Sequence, residues 1–367
     1  MGRLPGNGHS RCGDDTQGRA AMTRQAWTAV VAALVLIVLS GVIALTPVPY
    51  VAWDSGVTND VLGSLDGTDE ITIIGAETTD TTGSLLLTSV SVTSSNATLT
   101  LPAALLSYAR DVRDVVPRDW AYPVGRSASD LAGDEVMERS VAQESATVAA
   151  LSAAGIPVQE NPVIDSVSTG GPSYELLQTG DIIETVNDTA VRTADEVNGI
   201  IRSLAVGATA DFGIVRGGSS MTVSVITQAS STDRSVPRVG VTMRPGYRYE
   251  PQVEFNVPEV ADESSGLVLS LAIYDKLRSE DLMNSRVVAG TGTIEPNGTV
   301  GAVSGISERM RGAERDGAQV FLVPAANCSE VTDVGTNMEL VRVSRLSDAV
   351  SSLDALSQGR AEAVPRC

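Results

Sequence analysis

From Ala26 to Leu45 the chain runs for 20 residues without a charged side chain. As a helix that stretch is about 30 Å long, which matches the hydrocarbon thickness of a bilayer. Thr46-Pro47-Val48-Pro49 then stops it, because proline removes a helix donor and clashes with the preceding turn. Arg3, Arg11, Arg19 and Arg24 precede the run, and Asp54 and Asp60 follow it. That asymmetry sets the N-terminus in the cytoplasm and the bulk outside, as a single-pass protein of the cell membrane. A cleaved signal peptide is the alternative, but its apolar region is about 7 to 15 residues, so a retained anchor is the better reading. Residues 1–25 then form a polar cytoplasmic tail, within which Met22 is a second candidate start.

Composition removes several chemistries. The chain holds one histidine, His9 in the tail, and one lysine, Lys276. A Ser/His/Asp triad and a histidine-based zinc site are therefore excluded from the body of the protein, and no cofactor is expected. The phosphate-binding loop of ATPases needs a lysine after its glycines, and Lys276 has none nearby, so ATP is not expected. A net charge of -19 repels phosphate backbones, which argues against nucleic acid as a partner.

Outside the membrane, residues 46–160 read as a β-rich and then helical region. Ile71–Ile74, Leu85–Val92 and Ala97–Leu101 are strand-like, and Ala128–Ala154 is helical, with Val136, Val141, Val148 and Leu151 near a helical period. No chemistry is visible there. Across residues 161–228, Gly180-Asp181 marks a turn before the buried strand of Ile182, Ile183 and Val186. Thr193 with Glu196 forms a capping box opening a helix whose apolar face is Val197, Ile200 and Ile201. Strands Asp211–Arg216 and Met221–Ile226 meet across Gly217-Gly218. This segment resembles the PDZ domain, which implies capture of polypeptides or protein C-termini as an added strand beside that helix. The carboxylate-binding loop is not evident. Gly155-Ile156-Pro157 is a candidate, although Pro157 has no amide to donate.

Residues 238–358 hold the remaining chemistry, with 359–367 as a C-terminal tail. Asp262-Glu263-Ser264-Ser265-Gly266 precedes the apolar run from Leu267 to Ile273, which reads as a buried helix with Ser264 at its positive end. Pro296-Asn297-Gly298 predicts a hairpin of Val287–Ile294 with Thr299–Val303. Gly305-Ile306-Ser307-Glu308-Arg309 then opens a helix whose buried face is Ile306, Met310 and Ala313. Together with VPYV after the anchor, AIYDKL, AGTGTI and QVFLVP, these motifs resemble membrane-anchored, PDZ-containing Lon-like serine peptidases that lack an ATPase. The fold implied is multidomain α+β: an N-terminal transmembrane helix, a PDZ-like module and a Lon-type proteolytic domain.

The resemblance implies a Ser/Lys dyad, with Ser264 in the nucleophile position and Thr291 in the place of a threonine that supports the lysine. The family's lysine position is Arg309, and Ser304 stands where a glycine is usual. Such a dyad works because burial lowers the ammonium pKa towards roughly 7 to 8, which leaves an amine able to take the serine proton. A guanidinium stays protonated and cannot. Lys276 is about three helical turns from Ser264 and is no substitute. Pairing of Arg309 with Asp262 or Glu263 is expected instead, and hydrolysis should be absent or very slow. The functional expectation is a Lon-type peptidase homologue for ATP-independent extracytoplasmic proteolysis or quality control. The alternative is an inactive peptide-binding or scaffold protein, and a homo-oligomer is compatible with either. On this topology Cys328 and Cys367 are both external, so they are a candidate disulfide contributing about 3 to 4 kcal/mol, whereas Cys12 is cytoplasmic and reduced.

Overall fold

The computed structural model describes residues 23–65, 67–94, 97–110, 114–123, 125, 127–257, 262–331 and 334–367. His9, Cys12, Met22 and most of the expected tail lie outside them. The apolar run is the helix α1 (Arg24–Leu45), capped by the Thr23 hydroxyl, which accepts from the Ala26 amide, and none of its residues is buried. It has the length and composition to cross a membrane.

Beyond α1 come β1 (Pro47–Val48), β2 (Tyr50–Asp60), β3 (Ser84–Val92), β4 (Leu99–Thr100), α2 (Leu101–Arg110), β5 (Asp114–Pro117), α3 (Arg118–Ala121) and α4 (Ala128–Ala153). The next group is β6 (Gln159–Val167), β7 (Ile182–Val186), α5 (Ala194–Ser203), β8 (Thr209–Arg216), β9 (Ser219–Ile226) and β10 (Val241–Arg248). Last come α6 (Gly266–Leu277), β11 (Val287–Gly290), β12 (Thr293–Ile294), β13 (Val300–Gly301), α7 (Ile306–Arg315), β14 (Val320–Pro324), α8 (Cys328–Val331), β15 (Glu339–Val343) and α9 (Leu346–Ser357).

One six-stranded sheet runs in the order β15, β14, β11, β3, β2, β5. Its β15, β14, β11 and β3 are mutually parallel, and β2 lies antiparallel to both β3 and β5. Both faces of the parallel part are covered, as such sheets require. Leu85, Leu87, Val288, Val320, Leu322 and Val341 pack on one side with α6 and α9. The residues between them, Leu86, Ala289, Phe321 and Val323, pack on the other with Ile306, Met310 and Ala313 of α7. The period of two along each strand assigns every side chain to its layer.

This sheet revises the domain limits expected from sequence. The segment 46–160 is not separate from 238–358, because β2 and β3 pair directly into the sheet that holds β11, with Leu85 opposite Val288 and Leu87 opposite Gly290. Residues 71–74 likewise pair with 252–255. The second sheet, in the order β9, β8, β7, β6, β10, is an insertion between α4 and α6. Its last strand, β10, comes from residues assigned by sequence to the proteolytic domain, since it pairs along its length with β6. Its core is Ile164, Ile183, Val186, Val197, Ile201, Phe212 and Ile214, and the capping box of Thr193 and Glu196 is present. The hairpin around Pro296-Asn297-Gly298 is shorter than expected: only β12 and β13 pair antiparallel, because β11 belongs to the large sheet. In α4, Val148 and Leu151 are buried but Val136 and Val141 are exposed, since only the second half of the helix lies on the core.

Candidate functional site

Three segments converge at a cavity of about 270 Å³ lined by Glu138, Asp262, Glu263, Ser264, Thr293, Ala302, Val303, Ser304 and Arg309. Glu263–Ser265 form one tight turn, and Asp262 caps it by accepting the Ser264 amide at 2.9 Å. Leu267–Ile273, apolar except for Ser270, follow as a wholly buried stretch of α6. Gly266 has no room for a side chain, since a Cβ there would stand 2.7 Å from Ile294 Cγ2 and 2.8 Å from its amide nitrogen. That close approach docks Ser264 against the segment after β11. The Ser264 carbonyl accepts from the Gly292 amide at 2.8 Å and from the Thr291 hydroxyl at 3.1 Å. Thr291 is fully buried and holds the backbone of the serine rather than a cation.

Arg309 arrives from α7. Gly305 precedes the helix with φ of 68°, a left-handed conformation, and a Cβ there would press within 2.8 Å of Val90 Cγ2. The Arg309 side chain is buried, and three groups satisfy it. Nη1 donates to the Thr88 carbonyl at 2.5 Å, Nε to the Ser304 carbonyl at 3.2 Å, and Nη2 to Asp262 Oδ2 at 3.5 Å. Burial pulls its pKa down, and the Asp262 carboxylate opposes that shift.

The Ser264 hydroxyl donates a short hydrogen bond to Asp262 Oδ1. Asp262 thus stands between the serine hydroxyl and the guanidinium, and Ser264, Thr291 and Arg309 lie in one site. Of the two pairings expected for Arg309, the one with Asp262 is present. The pocket also holds two glutamates, Glu138 and Glu263. Glu138, from the exposed first half of α4, has its pKa raised by partial burial and by the neighbouring Glu263, Asp134 and Asp262.

Two contributors escaped sequence reading. Thr88 lies on β3, in a stretch where no chemistry was visible, and serves through its carbonyl while its hydroxyl donates to the Gly290 carbonyl at 3.1 Å. Glu138 reaches the pocket only because α4 packs on α6, and no motif surrounds it.

In the inserted sheet, Gly155-Ile156-Pro157 leads into β6, which pairs on both sides with β7 and β10. An interior strand has no open edge, so this loop does not fit the expected carboxylate-binding role. The edge strand beside α5 is β10, preceded by Val239-Gly240, and Gly240 has φ of 77°. The Val239 carbonyl is fixed by the amide and hydroxyl of buried Ser173 at 3.1 and 2.7 Å. Beneath the sheet, buried Asp181 accepts from Arg216 Nε at 2.7 Å and Nη2 at 2.6 Å, which explains the aspartate after Gly180. Elsewhere Cys328 and Cys367 form a disulfide with Cα atoms 5.1 Å apart.

Comparison with known proteins finds two family models along the chain, whose limits differ from those of the two sheets. Residues 137–227 match the family model of the PDZ domain, and residues 221–354 match that of the Lon protease (S16) C-terminal proteolytic domain. Among solved structures, the PDZ domain of an SdrC-like protein from Listeria monocytogenes is 23% identical, covering 23% of this chain and 86% of that one, with a TM-score of 0.21. The second domain of a Listeria innocua protein is also 23% identical, over 23% of this chain and 83% of that one, with a TM-score of 0.22. A Geobacillus thermodenitrificans structure is 17% identical, over 22% of this chain and 94% of that one, with a TM-score of 0.21. No curated protein matches the chain.

Proposed function

Because this chain is a PDZ-containing Lon-like protease by family, we propose that it is a membrane-anchored, ATP-independent member that captures polypeptides outside the cytoplasm and does not cut them by the Ser/Lys route. The observation carrying this reading is Asp262, held between the Ser264 hydroxyl and the Arg309 guanidinium. Attack by Ser264 needs a base for its proton and positive surroundings for the oxyanion that follows. Arg309 accepts no proton, and three of its five N–H donors are engaged by Thr88, Ser304 and Asp262. The nearest acceptor is the Asp262 carboxylate, which is itself paired with Arg309. Asp262, Glu263 and Glu138 also oppose negative charge at the serine.

Capture is assigned to the edge strand β10 beside α5, where an extended peptide adds backbone hydrogen bonds and the turn at Val239-Gly240 receives its terminal carboxylate. Placement outside the cytoplasm is supported by α1 and by the disulfide between Cys328 and Cys367, a bond of oxidising compartments. The test is fluorescence anisotropy of the full chain in detergent with labelled peptides ending in a free carboxylate or in an amide. Saturable binding that the amide abolishes is expected. Equal binding of both, or none, would remove the capture role.

A second reading is favoured by the Ser264 to Asp262 hydrogen bond: slow hydrolysis with Asp262 as the base. Under it, Asp262→Asn abolishes turnover. Under the main reading there is no turnover to abolish.

A further inference from the structure

The exit of α1 is tied to two short helices. The Leu101 amide, at the start of α2, donates to the carbonyl of Thr46 at 3.1 Å, and Pro47 and Val48 of β1 pair with Thr100 and Leu99 of β4. The Arg118 amide, at the start of α3, donates to the Pro49 carbonyl at 3.0 Å. α2 therefore begins against the residue that follows α1, and α3 begins beside Pro49, four residues past the end of α1. Their outer faces carry large apolar side chains that are half or more exposed among the described residues. Leu105 is 60% exposed, Leu106 50% and Trp120 73%, with Tyr50 beside them in sequence to the exit at 42%. Isolated exposed leucines need no explanation, but a group gathered at one place does.

Charge is arranged to match at α2, while α3 carries exposed Asp119 beside Arg118. The chain has 45 aspartates and glutamates, yet none falls between Asp80 and Asp111, so α2 and the strands leading to it lack the acidic cover found elsewhere. Acidic groups there would be repelled by anionic headgroups, and their absence removes that barrier. Trp and Tyr, with apolar rings and a polar edge, suit the headgroup level. Arg118, stacked over Tyr122 with its guanidinium 5.4 Å from the ring centroid, sets a cation at the same end.

We propose that the exposed faces of α2 and α3 seat in the extracytoplasmic leaflet at its interface, beside the exit of α1. The occupant of this surface is lipid, and the seat fixes the height and tilt of the proteolytic sheet, since β5 and β2 lie directly behind these helices. This rests on the reading of α1 as an anchor, and one experiment separates the two. The full chain is reconstituted in phosphatidylcholine nanodiscs whose acyl chains are brominated near the headgroup, and tryptophan emission is compared with unbrominated discs. Of the three tryptophans, Trp27 lies in α1 and reports the anchor, Trp120 reports the seat, and Trp53, partly buried in β2, is the background common to every variant. Quenching is expected in the parent and in Trp27→Phe, with the remaining loss of emission abolished by Trp120→Phe and by Leu105→Glu with Leu106→Glu. If Trp27→Phe removes all quenching, the anchor stands and the seat is overturned. If bromolipid quenches neither residue, both readings fall. If residues 101–107 gain hydrogen-exchange protection only in discs holding two chains, a second copy covers the surface and the lipid assignment is overturned.

Discussion

At Arg309 one residue type decides the chemistry, and its surroundings decide whether it can be reversed. Arg309→Lys alone is expected to stay inactive, because an ammonium beside Asp262 pairs with that carboxylate and stays protonated. Adding Asp262→Gly and Glu263→Pro removes the competing charges and gives the new amine a serine to deprotonate. A general base contributes roughly 10² to 10⁴-fold, so labelling of Ser264 by a serine-reactive phosphonate should accelerate by about 10²-fold in the triple variant and not in the single one. Asp275 makes a separate prediction. It is fully buried, its Oδ1 accepts from the Leu282 amide at 2.8 Å, and its Oδ2 has no partner among the described residues. Burial pushes its pKa up to about 6. The folded state therefore keeps a proton that the unfolded chain releases from about pH 4, so stability falls between about pH 4 and 6 and levels off above. Asp275→Asn should flatten that slope and add about 1 to 2 kcal/mol at pH 7, read by urea melts at several pH values. A steeper slope in the variant would refute it. At this scale Ser264 and Arg309 were singled out by the resemblance to Lon-type peptidases, whereas Thr88 was not, because a backbone carbonyl leaves no mark in residue type.

Among the elements, the inserted module shows why a Gly-Asp turn is read so easily from sequence. Gly180 supplies a left-handed turn, and Asp181 is needed to hold Arg216 across the sheet. Arg216→Met leaves Asp181 buried without its cation and should cost about 3 kcal/mol in thermal or urea melts of the full chain. No loss would mean that solvent already screens the pair. The capping box of α5 and the strands on either side of Gly217-Gly218 were equally plain, since cap and turn chemistry are local. The loop proposed to receive a peptide terminus was not evident in the sequence for the opposite reason. Whether a strand is an edge depends on its neighbours, and β6 lost its edge to β10, more distant in sequence than its hairpin-like neighbours.

Taken whole, the molecule is one sheet interrupted by another. The parallel pairing of β3 with β11 brings together strands on either side of the PDZ insertion, and no local pattern announces such a contact. The fold class was legible from motifs, but the domain limits were not, because a buried parallel strand such as Ser84–Val92 looks the same in any sheet. A fragment of residues 238–358 therefore lacks β2 and β3 and should not fold. Circular dichroism and dispersed NMR amide signals would show otherwise if the expected limits were real. The disulfide closes the other end, and Cys367→Ser should lower stability by about 3 to 4 kcal/mol in melts under non-reducing conditions.

The most direct test of the central claim is turnover of an unfolded protein such as casein by the full chain in detergent, beside Ser264→Ala. The account predicts that the two preparations cleave equally little, with no phosphonate bound to Ser264 in the parent. Steady cleavage that disappears in Ser264→Ala would contradict it, and would mean that Asp262 takes the serine proton despite its place against Arg309.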